Sequence, residues 1–163
     1  MPKLIKDGAI VDDVYSLAAT QEDGSLPLPA GPVLVRLADW RRHRDALIAH
    51  PHPKGVQLAP DEFAGEIAPD LDRLDLVAIE FPALADGRGY STASILRSQH
   101  GFRGELRAVG DIIKDTLFYQ QRCGFNAFAV RADKDIEDAL RGLSTFTVRY
   151  QGAVDAPPLF RSR

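Results

Sequence analysis

Leu76-Val77-Ala78-Ile79-Glu80-Phe81-Pro82-Ala83-Leu84-Ala85-Asp86-Gly87-Arg88-Gly89-Tyr90-Ser91 is the stretch that decides the fold. Its first six residues are an apolar run broken only by Glu80, as expected of a strand covered on both faces. Asp86 to Gly89 supply turn chemistry, and Ser91 or Thr92 can cap a helix that runs through Arg97 to Gly101. A buried strand entering a helix through a glycine loop is a βα unit. The N–H groups at such a helix start, with Arg88 beside them, suit an anion.

The same pattern recurs on both sides. Upstream, Val33 to Leu37 reads as a strand and Asp39 as the cap of a helix carrying Trp40, Leu47 and Ile48, broken by Pro51-His52-Pro53. Val56 to Ala59 and a helix capped by Asp61, with Phe63, Ile67 and Leu71 at spacing four, make a second unit weakened by Pro69. Downstream, Glu105 to Val109 with a helix from Ile112 to Cys123, then Phe125 to Arg131 with a helix from Asp133 to Gly142, make the fourth and fifth. Thr145 to Tyr150 reads as a last strand. At the start, Asp7-Gly8 between two short apolar runs predicts a hairpin forming a small flap or edge, and Ala18 to Pro32 reads as a loop.

About five βα units imply a mainly parallel sheet. The first expectation is an open sheet with helices on both faces, in one α/β domain over residues 1–163: hairpin and loop to 32, βα core over 33–152, then a tail. A truncated, TIM-like part-barrel is the alternative. Arg36, Gln57, Glu80, Arg107, Arg131 and Arg149 keep it open, because helices over such a face would bury charges at several kcal/mol each unless paired. Six strands are too few for a closed eight-stranded barrel.

Composition narrows the function classes. The 163 residues are 45% hydrophobic and 26% charged with a net charge of −3, which gives no bulk attraction for nucleic acid. No apolar run spans a bilayer and the start lacks a signal-peptide core, so the expected location is cytoplasmic, with no membrane. One cysteine cannot build a thiolate cluster, and the four histidines show no metal-ligand spacing, so no metal site is expected. Gly87-Arg88-Gly89 lacks the third glycine of a dinucleotide fingerprint, with Thr92 in its place, and no cofactor is expected.

Asp86-Gly87-Arg88-Gly89-Tyr90-Ser91, Gly104-Glu105-Leu106-Arg107-Ala108-Val109-Gly110-Asp111 and Gln121-Arg122-Cys123-Gly124-Phe125, in that order and spacing, resemble the bacterial uncharacterised family DUF934. The resemblance covers most of the chain and is strongest from Leu76 to Phe128. It implies a link to assimilatory sulfite reduction, with sulfite reductase as a partner, and brings no established catalytic residues.

Ligands of parallel α/β sheets sit beyond the carboxyl ends of the strands, so the candidates come from there. Asp86 and Asp111 are the candidate acid/base pair. Arg88, Arg107 and Arg131 are the candidate anion clamps, with Tyr90 and Ser91 in the same loop and Glu80 as a buried carboxylate of raised pKa. The structural alternative makes Asp39, Asp61, Asp111, Asp133 and Ser91 helix caps and pairs Glu80 with a strand arginine. Cys123, at a helix carboxyl end, reads as a buried thiol. Arg41-Arg42-His43-Arg44 is a solvated face or a dock for an acidic partner. The leading expectation is an accessory protein holding a small oxyanion at Asp86–Ser91; a cofactor-free enzyme and a pure adaptor are the alternatives.

Overall fold

A computed structural model describes residues 1–144. The strand expected at Thr145 to Tyr150, and the tail after it, lie outside the described residues.

The chain opens with β1 (Lys3–Lys6) and β2 (Ala9–Asp12), paired antiparallel around Asp7-Gly8. Both turn residues have positive φ, 49° and 79°, the backbone that Asp-Gly adopts at least cost. Six parallel strands follow: β3 (Ser16–Ala18), β4 (Val33–Arg36), β5 (Lys54–Leu58), β6 (Leu76–Phe81), β7 (Glu105–Gly110) and β8 (Ala127–Phe128). The sheet order is β2-β1-β8-β7-β6-β5-β4-β3. The hairpin is thus more than a flap: β1 pairs antiparallel with β8, the last parallel strand.

From β3 to β8 the strands are laid down in one direction without reversal. Right-handed crossovers then put every connection on the same face, which corrects the expectation of helices on both. The side chains agree. Val33, Val35, Val56, Val77, Ile79 and Leu106 share the main core with helix residues Trp40, Leu47, Ala93, Leu96 and Leu117, whereas Leu34, Leu76 and Ala78 on the other face meet Tyr15 and Val109.

The sheet is curled into a half-barrel, and a short link shows how tightly. β2 and β3 are its two outer strands, yet only Asp13, Val14 and Tyr15 connect them. A flat sheet of eight strands would hold its outer strands about 34 Å apart, whereas the four Cα steps from Asp12 to Ser16 reach about 14 Å. The link therefore crosses the concave side as a strap, at the amino-terminal ends of β3 and β4, where Ser16 N–H donates to the Pro32 carbonyl.

The connections depart from expectation locally. The first is two short helices, α1 (Leu37–Arg42) and α2 (Arg44–Ala49), parted at His43. The second is two 3-10 segments, Ala64–Glu66 and Ala68–Arg73, because Pro69 removes a donor and the spacing-four stripe is not realised: Ile67 is buried while Phe63 is 64% exposed. The others are α3 (Arg88–Ser98), α4 (Lys114–Cys123) and α5 (Ile136–Gly142). β3 falls where the hairpin-to-loop transition was expected, and β8 is far shorter than the run from Phe125 to Arg131.

Candidate functional site at the carboxyl-terminal rim

The concave face carries two polar groups at different heights. Register places Lys6, Ala127, Arg107, Ala78, Gln57 and Arg36 in one row across it. Near the strap, the Arg107 Nη1 donates to both carboxylate oxygens of Asp13 at 3.0 Å, and its Nε donates to Glu105 at 2.7 Å. Lys6 closes on the other Glu105 oxygen at 2.8 Å. The Arg107 and Glu105 side chains are 4% and 5% exposed, so these charges persist inside only because they are mutually paired. Tyr15 stacks its ring on the Arg107 guanidinium at 5.3 Å. Burial, with the carboxylates of Asp75, Glu105 and Asp13 adding to it, pushes the Tyr15 phenol up to about 12.

The second group sits higher, at the carboxyl ends of β4 to β6. Glu80 Oε2 accepts from Arg36 Nη1 at 3.2 Å and from Gln57 Nε2 at 3.4 Å. Glu80 thus meets a strand arginine, and it is not the fully buried carboxylate expected, its side chain being 30% exposed and that of Arg36 52%.

The loops above these strands hold the remaining candidates. Asp86 accepts from the Arg88 backbone N–H and from its Nε and Nη2, at 3.2, 3.0 and 2.5 Å. Those bonds, chiefly the side-chain ones, hold the Asp86 carboxyl below its ordinary value. Asp111 leaves β7 and ties two loops together: Oδ2 accepts from Leu84 N–H at 3.1 Å and Oδ1 from Arg131 Nη1 at 2.8 Å. Arg131 uses its Nε and Nη2 on Asp133, at 3.0 and 2.9 Å. Asp86, Arg88, Asp111 and Arg131 therefore share the carboxyl-terminal rim, while Arg107 belongs to the strap end.

The helix starts are not capped as expected. Arg88 opens α3 with Gly87 before it, so Ser91 lies inside the helix with its side chain exposed and Thr92 is buried. Asp39 sits within α1 and accepts from the backbone N–H of Thr20 at 3.3 Å and from its hydroxyl; Asp61 caps no helix, and Asp111 and Asp133 are replaced as caps by Ile113 and Asp135. Only Asp135, which accepts from Glu137 N–H, makes a side-chain cap among these.

Two of the signature glycines near the rim, Gly89 and Gly110, serve packing. A Cβ on Gly89 would stand 2.7 Å from the Phe81 ring, and one on Gly110, at φ 98°, would run into the Phe81 carbonyl oxygen. Tyr90 turns inward along α3, with its ring 5.1 Å from Phe81 and 5.0 Å from Tyr119, and burial raises its pKa. Cys123 is buried at the end of α4.

The family model for a bacterial protein of unknown function, DUF934, matches residues 55–160. The chain belongs to the DUF934 family. No curated protein matches it. The match begins at the third strand of the parallel run and takes in the Arg88 loop, Arg107 and the Asp111–Arg131 tie, while Arg36 and the strap of this DUF934 protein precede it. Sequence reading named Arg36 as a polar strand residue but did not single it out as the arginine beside Glu80, because a lone polar residue ending a strand has no motif around it. Among the described residues no helix is long and apolar enough to cross a membrane.

Proposed function

We propose that this DUF934 protein is an accessory factor of assimilatory sulfite reduction that holds a small oxyanion at the Asp86–Ser91 loop. The observation that carries the reading is the preset guanidinium of Arg88. Asp86 grips one edge of it, the side chain remains 57% exposed, and its other edge is left for an anion at the carboxyl-terminal rim. Arg36 and Arg131, 52% and 40% exposed, line the same rim. In closed barrels of this type that end carries function and the amino-terminal end carries stability.

Binding is favoured over acid/base chemistry. Asp86 is held below its ordinary value, and Asp111 has both oxygens engaged. A general acid or base works best with a pKa near the operating pH and a free path to substrate. The adaptor reading is also weakened, since Arg41 and Arg44 of the basic helix are occupied by Glu66 and Asp70.

Calorimetry with sulfite, sulfate and phosphate tests the site. We expect saturable binding to at least one, weakened at least about tenfold, or ~1.4 kcal/mol, by Arg88→Ala. Equal binding by the variant would reject the loop as the site. Growth of a deletion strain on sulfate, compared with growth on cysteine, tests the pathway; equal growth on both would reject the accessory role.

A further inference from the structure

At the opposite end of α3 from Arg88, about 14 Å along the helix, a second pair of guanidinium groups meets a cleft. The cleft has a volume of about 470 Å³, within the usual range of small-molecule sites. Arg97 and Arg103 line it, with Asp7 and Gln121 on the walls and Phe102 and Phe125 as apolar floor. Arg97 is partly buried, and every side-chain acceptor it has is neutral. Its Nε donates to the Gly124 carbonyl at 2.9 Å, Nη1 to the carbonyls of Phe102 and Gly104 at 2.8 and 2.9 Å, and Nη2 to Asn126 Oδ1 at 3.2 Å. Neither Arg97 nor Arg103 forms an ion pair among the described residues.

That charge balance is unusual for a partly enclosed place. Among the described residues that line the cleft, two cations face one carboxylate, Asp7, which already accepts from Asn126 Nδ2 at 3.0 Å. Burial lowers the Arg97 pKa, Asp7 works against it, and the like charge of Arg103 adds to the depression. One carboxylate does not balance two guanidinium groups, and holding the excess positive charge partly out of water is costly, so an incoming anion lowers that cost. The walls are rigid enough to wait for one: Asn126 accepts from Leu106 N–H at 2.7 Å as well as from Arg97, fixing the hairpin turn, β7 and α3 to one another.

We propose that this cleft binds a small organic anion, a carboxylate or sulfonate whose charge lies between Arg97 and Arg103 and whose apolar body rests on Phe102 and Phe125. Inorganic sulfate would meet the charge but leave the floor unused. The site stands apart from the Arg88 loop and does not depend on it.

Amide NMR titration of the full chain with benzoate, and separately with sodium sulfate at matched ionic strength, tests this. Expected are saturating shifts clustered at Gly8, Arg103, Gln121 and Gly124, with benzoate binding more tightly than sulfate. Arg103→Gln should weaken benzoate at least about tenfold with unchanged Tm, Arg103→Lys should recover part of the loss, and Arg88→Ala should have no effect. Scattered or non-saturating shifts, equal benzoate affinity in Arg103→Gln, or sulfate binding as tight as benzoate would each overturn the proposal.

Discussion

Arg36 and Arg107 lie in one row of the concave face, and their surroundings give them different work. Arg107 is sealed between Asp13, Glu105 and the Tyr15 ring, so removing it takes the ion-pair partner from Asp13 and leaves the buried Glu105 with Lys6 alone. Arg107→Ala should cost about 3–5 kcal/mol, measured by urea unfolding, because an unpaired buried charge is dearer than the pair was worth. Arg36→Ala should cost under about 1 kcal/mol, as expected of a half-exposed pair. Tyr15 adds a pH signature. Its folded pKa is raised from 10.0 to about 12, so the neutral phenol is favoured by folding. That contribution is complete below pH 10 and is lost as pH rises towards 12, and Tyr15→Phe should flatten this part of an alkaline stability profile. An unchanged slope would show that the ring sits in water. Polar residues in the strands were legible from sequence, but their division between sealed and open ends was not, since it depends on a strap arriving from β2.

Among the elements, α3 shows how a packing contact can outweigh propensity. Gly89 lies in its first turn, where replacing glycine by alanine in a helix ordinarily gains up to about 1 kcal/mol. Here the added methyl would strike Phe81 and Ile79, and overpacking of this kind costs about 1–3 kcal/mol. Gly89→Ala should therefore destabilise, and a gain in the urea midpoint would mean that α3 can shift off β6. The elements that sequence reading placed well were those with a local cause: the Asp7-Gly8 turn, the run from Leu76 to Phe81, the stop at Gly124. Those it misplaced depend on neighbours. Three residues of β3 carry too little pattern to separate them from a loop, the Phe63 stripe was undone by Pro69, and each expected aspartate cap was drawn instead to a loop N–H or an arginine, or left uncapped. The glycine loop was rightly seen as a turn into a helix; that Gly89 is there for Phe81 could not be seen without the fold.

On the scale of the whole molecule, the hairpin is a structural member. Ile5 is fully buried in the main core and is paired with Phe128 of β8. Ile5→Ala should cost about 2–5 kcal/mol, as a core truncation does, whereas a loose flap would tolerate it within a few tenths. Which face the helices cover was hidden in the sequence for a related reason: it follows from the order in which strands sit side by side, and alternation of strand and helix does not specify that order. The strap has a further consequence. Read around the curl from β3, the strands come in chain order to β8 and then continue with β1 and β2, as though the first twelve residues had been moved to the end. During synthesis the hairpin leaves the ribosome before the other strands of the sheet, but the edge that β1 pairs with emerges only with Phe128, so Leu4 and Ile5 wait without that edge until nearly all of the sheet has been made.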